Sequence, residues 1–372
     1  MRHHEKFDAL RGIAALVVLV SHVVELYWVR LLGVDAPVAR IAAAAGRHAV
    51  LVFFLLSGYL VTLSILGNVR RNGTFSPREY LAARIARIHP PLLGALAVMA
   101  VVWLVIHLGR LPGSASYGLP GDLFVMRPNY AIQPSRVVTA LLMLGGLTGP
   151  NPPLWSLYFE FQLYVLALLA ALALTRRGVR IACAFGALLG AIALSEHNRS
   201  FVFFALVWLA GAAGALWTSR AGAESVRGRL QPVVFGLAAG LAIGALRHPW
   251  ALATVTPGMA SELAQYALCA LYAHAMFFSP VLDKALPPAL ARTGRFSYSL
   301  YVVHYPLLFL LLSFTQNWTQ YSYWRAAAVS ALALAAIVPF AQAFASVFER
   351  PKEFRGLLLS AFDSLGRPSR PG

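Results

Sequence analysis

Two residues with ionisable side chains, Arg11 and His22, stand inside the first apolar stretch of the sequence, FDALRGIAALVVLVSH at residues 7–22. They are 11 positions apart, which places them on one face of an α-helix and about 16 Å apart along its axis. A guanidinium holds anionic groups such as phosphates, whereas an imidazole is largely neutral at pH 7 and can accept a proton. The spacing therefore predicts a helix that holds an anion at one end and carries out acid–base chemistry at the other. A lipid contact for Arg11 and an interhelical hydrogen bond for His22 are the simpler alternative.

Two carboxylates flank this pair at helical spacing. Asp8 lies three residues before Arg11, so it can offset the cost of a cation in the first turns of the helix. Glu25 lies three residues after His22 and can orient or charge-stabilise the imidazole, although a solvated position at the end of the span is an equally good interpretation. We treat both as possible supporting residues.

The segment SPREYLAARIARIHP at residues 76–90 predicts a second anion-binding element. Ser76 and Glu79 form a capping box with Pro77 at the first helical position, which predicts the start of a helix. Its narrow apolar stripe predicts an amphipathic helix at the membrane surface. Arg84 and Arg87 lie one turn apart on it and can hold phosphate oxygens. A basic loop touching anionic lipid is the alternative.

Two later apolar stretches contain further polar side chains. Glu160 and Tyr164 lie within PLWSLYFEFQLY at residues 153–164, where a carboxylate needs a cationic partner such as a buried arginine or an imidazole. We expect a functional role for Glu160, with a structural interhelical ion pair as the alternative. His304 lies within SYSLYVVHYPL at residues 297–307 and is either a supporting site residue or a buried histidine with one hydrogen bond.

The composition determines the environment in which these residues act. Hydrophobic residues make up 59% of the 372, charged residues 12%, and the mean hydropathy is +0.67. These values exclude an ordinary soluble domain and indicate an integral membrane protein. The formal net charge of +17 does not indicate a nucleic-acid partner, because the basic residues form short clusters between apolar runs. Membrane lipid is the partner that this distribution predicts.

Stretches of about 20 apolar residues predict an all-α polytopic protein with about ten transmembrane helices. Under this assignment Lys and Arg are more than twice as numerous on the side of the N-terminus, which predicts that both termini are cytoplasmic. The predicted spans are 9–29, 48–67, 90–108, 153–174, 179–195, 201–218, 230–246, 263–282, 297–314 and 325–348.

The regions outside the spans carry fewer signals. We expect one transmembrane domain over residues 1–350 and a disordered cytoplasmic tail over 351–372. The longest outer loop, 109–152, is expected either to contact an acceptor or to lie on the bilayer as a lid. No spacing of ligand residues predicts a metal site, and the sequence does not indicate an oligomeric state.

The motifs together resemble the acyltransferase-3 family of integral membrane O-acyltransferases. The resemblance rests on the Arg11–His22 segment, VFFLLSGYL at 52–60, the Arg84–Arg87 segment ending in proline, the two stretches around Glu160 and His304, and ERP at 349–351. It implies a bacterial cytoplasmic (inner) membrane protein that takes an acyl group, usually acetyl, from acyl-coenzyme A. The acceptor that it implies is a hydroxyl of a glycan or glycosylated molecule, as in polysaccharide O-acetylation.

The same resemblance implies roles for the candidate residues. Arg84, Arg87 and Arg11 would bind the coenzyme A phosphates, and His22 would be the general base. Glu160 and Arg11 would complete the catalytic set, with Asp8, Glu25, Tyr164 and His304 as supporting residues. Direct transfer and an acyl-histidine intermediate both fit. A secondary transporter and a non-catalytic membrane assembly protein are the alternative functions.

Overall fold

A computed structural model of the protein describes residues 3–114, 129–175, 199–219, 271–277 and 286–365, with the single positions Val179, Gly186 and Cys269. The regular elements of this described part are helices, so the predicted all-helical fold is confirmed. The helices are α1 (His3–Val23), a π-helical turn (Val24–Trp28), α2 (Val29–Leu32), α3 (Pro37–Asn72), α4 (Pro77–Leu108), α5 (Pro134–Leu141), α6 (Leu154–Thr175), α7 (Arg199–Ser219), α8 (Pro288–Gly294), α9 (Ser297–Thr319), α10 (Tyr323–Phe348) and α11 (Pro351–Leu365).

Six helical stretches of the described residues are long and apolar enough to cross a membrane, so the protein is a multi-pass membrane protein. α7 contributes a shorter apolar helix, Phe203–Ser219. Apart from the single positions Val179 and Gly186, the predicted spans 179–195 and 230–246 and most of 263–282 lie outside the described residues, so the count of about ten stays a prediction. The six stretches are Glu5–Leu32, Pro37–Asn72, Pro77–Leu108, Leu154–Ala173, Ser297–Thr319 and Tyr323–Ser364.

Two helices, α3 and α4, are much longer than the predicted spans. α3 begins at Pro37 and α4 at Pro77, whereas the corresponding spans were predicted to start at residues 48 and 90. The predicted cap of α4 is present, because Ser76 Oγ accepts from the Glu79 N–H at 3.5 Å. The predicted helix before the third span is present, and it continues into that span without a break. Arg84 and Arg87 lie on the same continuous helix as that span, which passes through Pro90 and Pro91.

The last helix differs from the expected disordered tail. Residues Pro351–Leu365 form α11, in which apolar residues recur at helical spacing. Residues 366–372 lie outside the described part of the chain.

The chain divides into two compact units. The first unit comprises Met1–Lys6, Leu51–Tyr80 and Phe159–Leu286. Within it α3 and α7 pack closely through small residues, because a Cβ on Gly58 would collide with the backbone of Trp208 and a Cβ on Gly211 with that of Leu55. The Trp208 indole N–H also donates to Ser57 Oγ at 3.2 Å. The VFFLLSGYL stretch at residues 52–60, which contains Ser57 and Gly58, therefore packs α3 against α7.

The second unit comprises Phe7–Val50, Leu81–Tyr158 and Pro287–Gly372. Its N-terminal helix, α1, packs against α8 and runs in the same direction as α9. A Cβ on Gly12 would collide with the backbone of Leu290 and Gly294. Further along, the Tyr27 hydroxyl donates to the Leu308 carbonyl at 2.8 Å. These contacts place α1 against the α8–α9 segment.

Candidate active site

His22 lies in the last turn of α1, and its side chain is 20% exposed. Its Nδ1 is 2.7 Å from Oε2 of Glu25, which is half exposed on the π-helical turn that follows α1. Short π-helical segments are frequent at functional sites, where they reposition side chains. The local change in helix geometry thus occurs where the imidazole meets a carboxylate.

This contact assigns the proton on the ring of His22. An ionised carboxylate only accepts hydrogen bonds, so Nδ1 carries the hydrogen and donates it to Glu25. In the neutral ring Nε2 then holds the lone pair. A carboxylate on Nδ1 and a basic Nε2 form the arrangement in which a histidine acts as an oriented general base.

A second histidine lies beside the first. The His304 ring stacks on that of His22 with centroids 5.2 Å apart, and the Tyr305 ring meets His22 edge-on at the same distance. His304 is 1% exposed, and its Nδ1 lies 3.0 Å from the Leu300 carbonyl, so Nδ1 carries its hydrogen. Within the described residues its Nε2 has no hydrogen-bond partner. An unsatisfied nitrogen in a buried ring therefore lies next to the candidate base.

Arg11 lies about three turns before His22 on α1. Its guanidinium is 3.5 Å from the Asp8 carboxylate, and its side chain is 16% exposed. Because α1 is continuous from His3 to Val23, the predicted axial separation of about 16 Å between Arg11 and His22 follows from the helix rise. Asp8 thus has the predicted pairing.

Arg84 and Arg87 are both half-buried on α4. Arg87 and Arg11 both interact electrostatically with the carboxylate of Glu349, at the end of α10. Two of the three predicted phosphate-binding arginines, from α4 and α1, therefore lie near one acidic residue of the second unit.

Glu160 and Tyr164 belong to the first unit, whereas His22 and the arginines belong to the second. The Tyr164 hydroxyl donates to Oε1 of Glu160 at 2.5 Å. The Tyr164 carbonyl in turn accepts from the buried Tyr80 hydroxyl at 3.0 Å. The contact that the structure gives for Glu160 is thus a tyrosine on the same helix, in place of the expected arginine or imidazole.

The described part of the predicted outer loop, residues 109–114 and 129–152, contains α5 and a buried aromatic side chain. Residues 115–128 lie outside the described part of the chain. Tyr130 is fully buried, with its ring 5.0 Å from that of Phe309, and its N–H donates to the Gly113 carbonyl at 2.8 Å. Asn151 is also buried and donates to the Val302 carbonyl at 2.9 Å. The described ends of this loop are therefore packed on α9.

The part of the chain that the structure describes contains no group of three or more His, Cys, Asp or Glu side chains able to hold a metal ion. The site described above consists of a carboxylate-bound histidine, a buried second histidine and a cluster of arginines.

The family model of an acyltransferase domain, acyltransferase 3, matches residues 4–344. The chain belongs to the acyltransferase-3 family. It is 30% identical over 158 residues to "Protein 2 in picA locus" of Rhizobium radiobacter, covering 41% of this chain and 74% of that protein. It is 29% identical over 211 residues to an "O-acetyl transferase" of Shigella phage Sf6, covering 55% of this chain and 57% of that protein. No solved structure matches the chain.

Membership of the acyltransferase-3 family shows that the protein is an enzyme of the O-acetyltransferase type. The sequence indicated the candidate arginines and histidines of this acyltransferase, but it indicated no role for Tyr305 or Glu349. Both stand inside the motifs that carried the resemblance. Their contacts with His22 and with the arginines come from other helices, so only their position in those motifs could have drawn attention to them.

Proposed function

We propose that the protein transfers an acyl group, typically acetyl, from cytoplasmic acyl-coenzyme A to a hydroxyl of a glycan or glycosylated acceptor, with His22 as general base. The observation that carries this proposal is the 2.7 Å contact between His22 Nδ1 and Glu25, which supports Nε2 as the basic nitrogen. Placement in the acyltransferase-3 family supplies the reaction class.

In the proposed reaction His22 Nε2 takes the proton of the acceptor hydroxyl while the hydroxyl oxygen attacks the thioester carbonyl. The new C–O bond forms and the C–S bond breaks. The imidazolium then returns its proton to the departing thiolate, so that the products are an ester and free coenzyme A. The Glu25 carboxylate stabilises the imidazolium between these two proton transfers. This direct route requires no covalent enzyme intermediate.

The donor is proposed to bind through Arg84, Arg87 and Arg11. Coenzyme A carries a pyrophosphate and a 3′-phosphate, and guanidinium groups form charge-assisted hydrogen bonds with phosphate oxygens. The proximity of Arg87 and Arg11 to one carboxylate supports their action as a group. The axial distance of about 16 Å from Arg11 to His22 suits a long pantetheine arm whose phosphates remain at the membrane edge.

The catalytic role that the sequence predicts for Glu160 stays a prediction, because an ionised group within an apolar span is costly and usually functional. Within the first unit its carboxylate accepts from the Tyr164 hydroxyl at 2.5 Å, which positions it. The buried His304 is proposed to hold the ring of His22 by stacking.

The proposed setting is the bacterial cytoplasmic membrane with both termini in the cytoplasm. The greater number of Lys and Arg residues on that side supports this orientation. The donor side is then cytoplasmic, where acyl-coenzyme A is made, and the 109–152 loop faces the other side of the membrane.

The experiment that tests this function follows free thiol release when purified protein is mixed with acetyl-coenzyme A, with and without a saccharide acceptor extract. We expect acceptor-dependent release from wild-type protein and its loss in His22→Ala. A transporter or a non-catalytic assembly protein would release no thiol above the protein-free rate, and that result would contradict the proposal.

A further inference from the structure

Glu349 lies in the short connection between α10 and α11. It follows the last residue of α10, and its N–H donates to the Ala345 carbonyl at 2.9 Å. Pro351 begins α11 two residues later. The backbone of Glu349 is thus held from both sides, which limits the positions that its side chain can reach.

The Glu349 carboxylate is also held by the start of α9. Its Oε2 accepts from the Ser299 hydroxyl at 2.8 Å and from the Ser299 N–H at 3.3 Å. The first N–H groups of a helix lack carbonyl partners within the helix and carry a partial positive charge. Glu349 supplies the missing acceptor from another helix, and two hydrogen bonds to one residue set the orientation of the carboxylate.

Two positive charges face this carboxylate from two further helices. The guanidinium groups of Arg87, on α4, and Arg11, on α1, both interact with it electrostatically. Two like charges that lie near one another in a half-buried site repel unless a negative charge lies near both. Asp8 meets Arg11 from its own helix at 3.5 Å, whereas Glu349 interacts with both arginines.

The helices that carry Ser299, Arg87 and Arg11 have close contacts with neighbouring helices beside these residues. The Tyr298 hydroxyl donates to the Ile88 carbonyl at 3.2 Å, which joins the start of α9 to α4 directly beside Arg87. A Cβ on Gly294 would collide with the Asp8 backbone, so α8 and α1 are in close contact beside Arg11. Four helices therefore converge around the Glu349 carboxylate.

We propose that Glu349 is a positioning residue for the donor: its Ser299-anchored carboxylate holds the guanidinium groups of Arg11 and Arg87 in the orientation that accepts the coenzyme A phosphates. This inference rests on the proposed function, because it assigns Glu349 to the same donor site. The carboxylate itself does not touch the donor.

Removing the charge of Glu349 has two opposite effects on the affinity for coenzyme A. It changes the net charge of the site, and it releases the arginines from their fixed orientation. Removing a negative charge makes the site more positive and would attract coenzyme A more strongly, but salt screens that effect. Loss of orientation weakens the bidentate hydrogen bonds between guanidinium and phosphate, and salt does not restore them. Glu349→Gln keeps a side-chain oxygen for Ser299 and removes the charge that holds the two arginines. Measuring this variant at two ionic strengths separates the two effects, because only the net-charge effect depends on salt.

The test measures the dissociation constant of coenzyme A for the purified full chain at about 0.1 M and about 0.5 M salt. We expect Glu349→Gln to weaken binding about 10-fold at both ionic strengths. Arg87→Gln should then cause a smaller loss in the Glu349→Gln background than in wild type, because the two residues act through one interaction. Glu353→Gln is the matched control, because it removes an exposed carboxylate that pairs with Arg350 at 3.4 Å.

Results that contradict the role of Glu349 can be distinguished from results that contradict the proposed function. Unchanged or tighter coenzyme A binding by Glu349→Gln, or additive losses with Arg87→Gln, would overturn the role of Glu349 while the donor site and His22 chemistry stand. Absence of coenzyme A binding by wild-type protein would overturn the proposed function together with this inference. Glu349→Asp covers the case in which the Gln variant does not fold. Its retracted carboxylate should weaken binding about 3-fold, and unchanged affinity would also contradict the proposal.

Discussion

At the scale of single residues, the proposed chemistry depends on the orientation of one imidazole ring. Glu25 fixes Nδ1 of His22 as the donor nitrogen, and the rings of His304 and Tyr305 lie against the same imidazole. The carboxylate is half exposed, so its electrostatic contribution is partly screened by water. Its main effect is therefore expected on the orientation of the ring.

Glu25→Gln tests this orientation. The amide keeps a polar partner for Nδ1 but loses the charge and permits the opposite tautomer, in which Nε2 carries the hydrogen. We expect kcat for acyl transfer to fall about 10-fold, with little change in affinity for coenzyme A. Steady-state kinetics and coenzyme A binding measure the two quantities. Asp35→Asn, which removes an exposed partner of Arg40, is the control, and an equal loss in both variants would remove Glu25 from the mechanism.

At the scale of helices, α4 carries both the predicted phosphate-binding arginines and the third membrane span, which the sequence analysis assigned to two elements. Its N-terminal part carries Arg84 and Arg87, and its remainder crosses the membrane as the same continuous helix. Side chains on a continuous helix have defined spacing relative to the span. The arginines are therefore positioned by the transmembrane bundle and not by a separate element on the lipid surface.

Arg84→Ala and Arg87→Ala should each weaken coenzyme A binding about 10-fold, because each removes charge-assisted hydrogen bonds to phosphate. Comparing coenzyme A with dephospho-coenzyme A identifies which arginine contacts the 3′-phosphate, since the variant at that position loses the preference for the phosphorylated form. Arg40→Ala, at an exposed ion pair, serves as control. If neither variant loses affinity, the arginines contact only lipid.

The close contact between α1 and α8 predicts a stability effect at Gly12. A Cβ there would lie 2.9 Å from the Gly294 nitrogen and even closer to the Leu290 carbonyl, so Gly12→Ala must displace backbone. We expect a loss of about 1–3 kcal/mol in the free energy of unfolding. Gly356→Ala is the matched control, because a Cβ there meets open space within α11 and should stabilise the helix by about 0.5–1 kcal/mol. Thermal unfolding in detergent compares the two, and equal unfolding temperatures would contradict the close contact.

The sequence predicted the helical fold, and with it the position of Arg11 and His22 on one continuous helix, because both follow from local periodicity. It predicted helix ends poorly, since hydropathy identifies the lipid-crossing part of a helix, whereas backbone hydrogen bonds extend α3 and α4 beyond it. It could not predict the partners of Glu349 or the stacking of His304 on His22. Those contacts join residues on different helices, and no local pattern encodes them.

At the scale of the whole molecule, the polar residues of the proposed site contrast with the apolar character of the chain. Six apolar helices of the described residues are long enough to cross a membrane, while the arginines and histidines occupy defined positions along α1, α4 and α9. Ionisable groups in such helices are costly and usually serve function. In the proposed mechanism the charged donor binds at the cytoplasmic edge, and the acceptor hydroxyl is activated deeper in the bundle.

The most direct test of this account is mass spectrometry of surface glycans from four strains: wild type, a strain without the gene, His22→Ala and His107→Ala. His107 is the matched histidine control, because it lies at the end of α4 and bonds the Trp103 carbonyl at 2.9 Å. We predict that the strain without the gene and the His22→Ala strain lose the mass of one acyl group per glycan repeat, whereas His107→Ala glycans match wild type. Full acylation in the His22→Ala strain would contradict His22 as the base, and unchanged glycans in the strain without the gene would contradict the glycan acceptor.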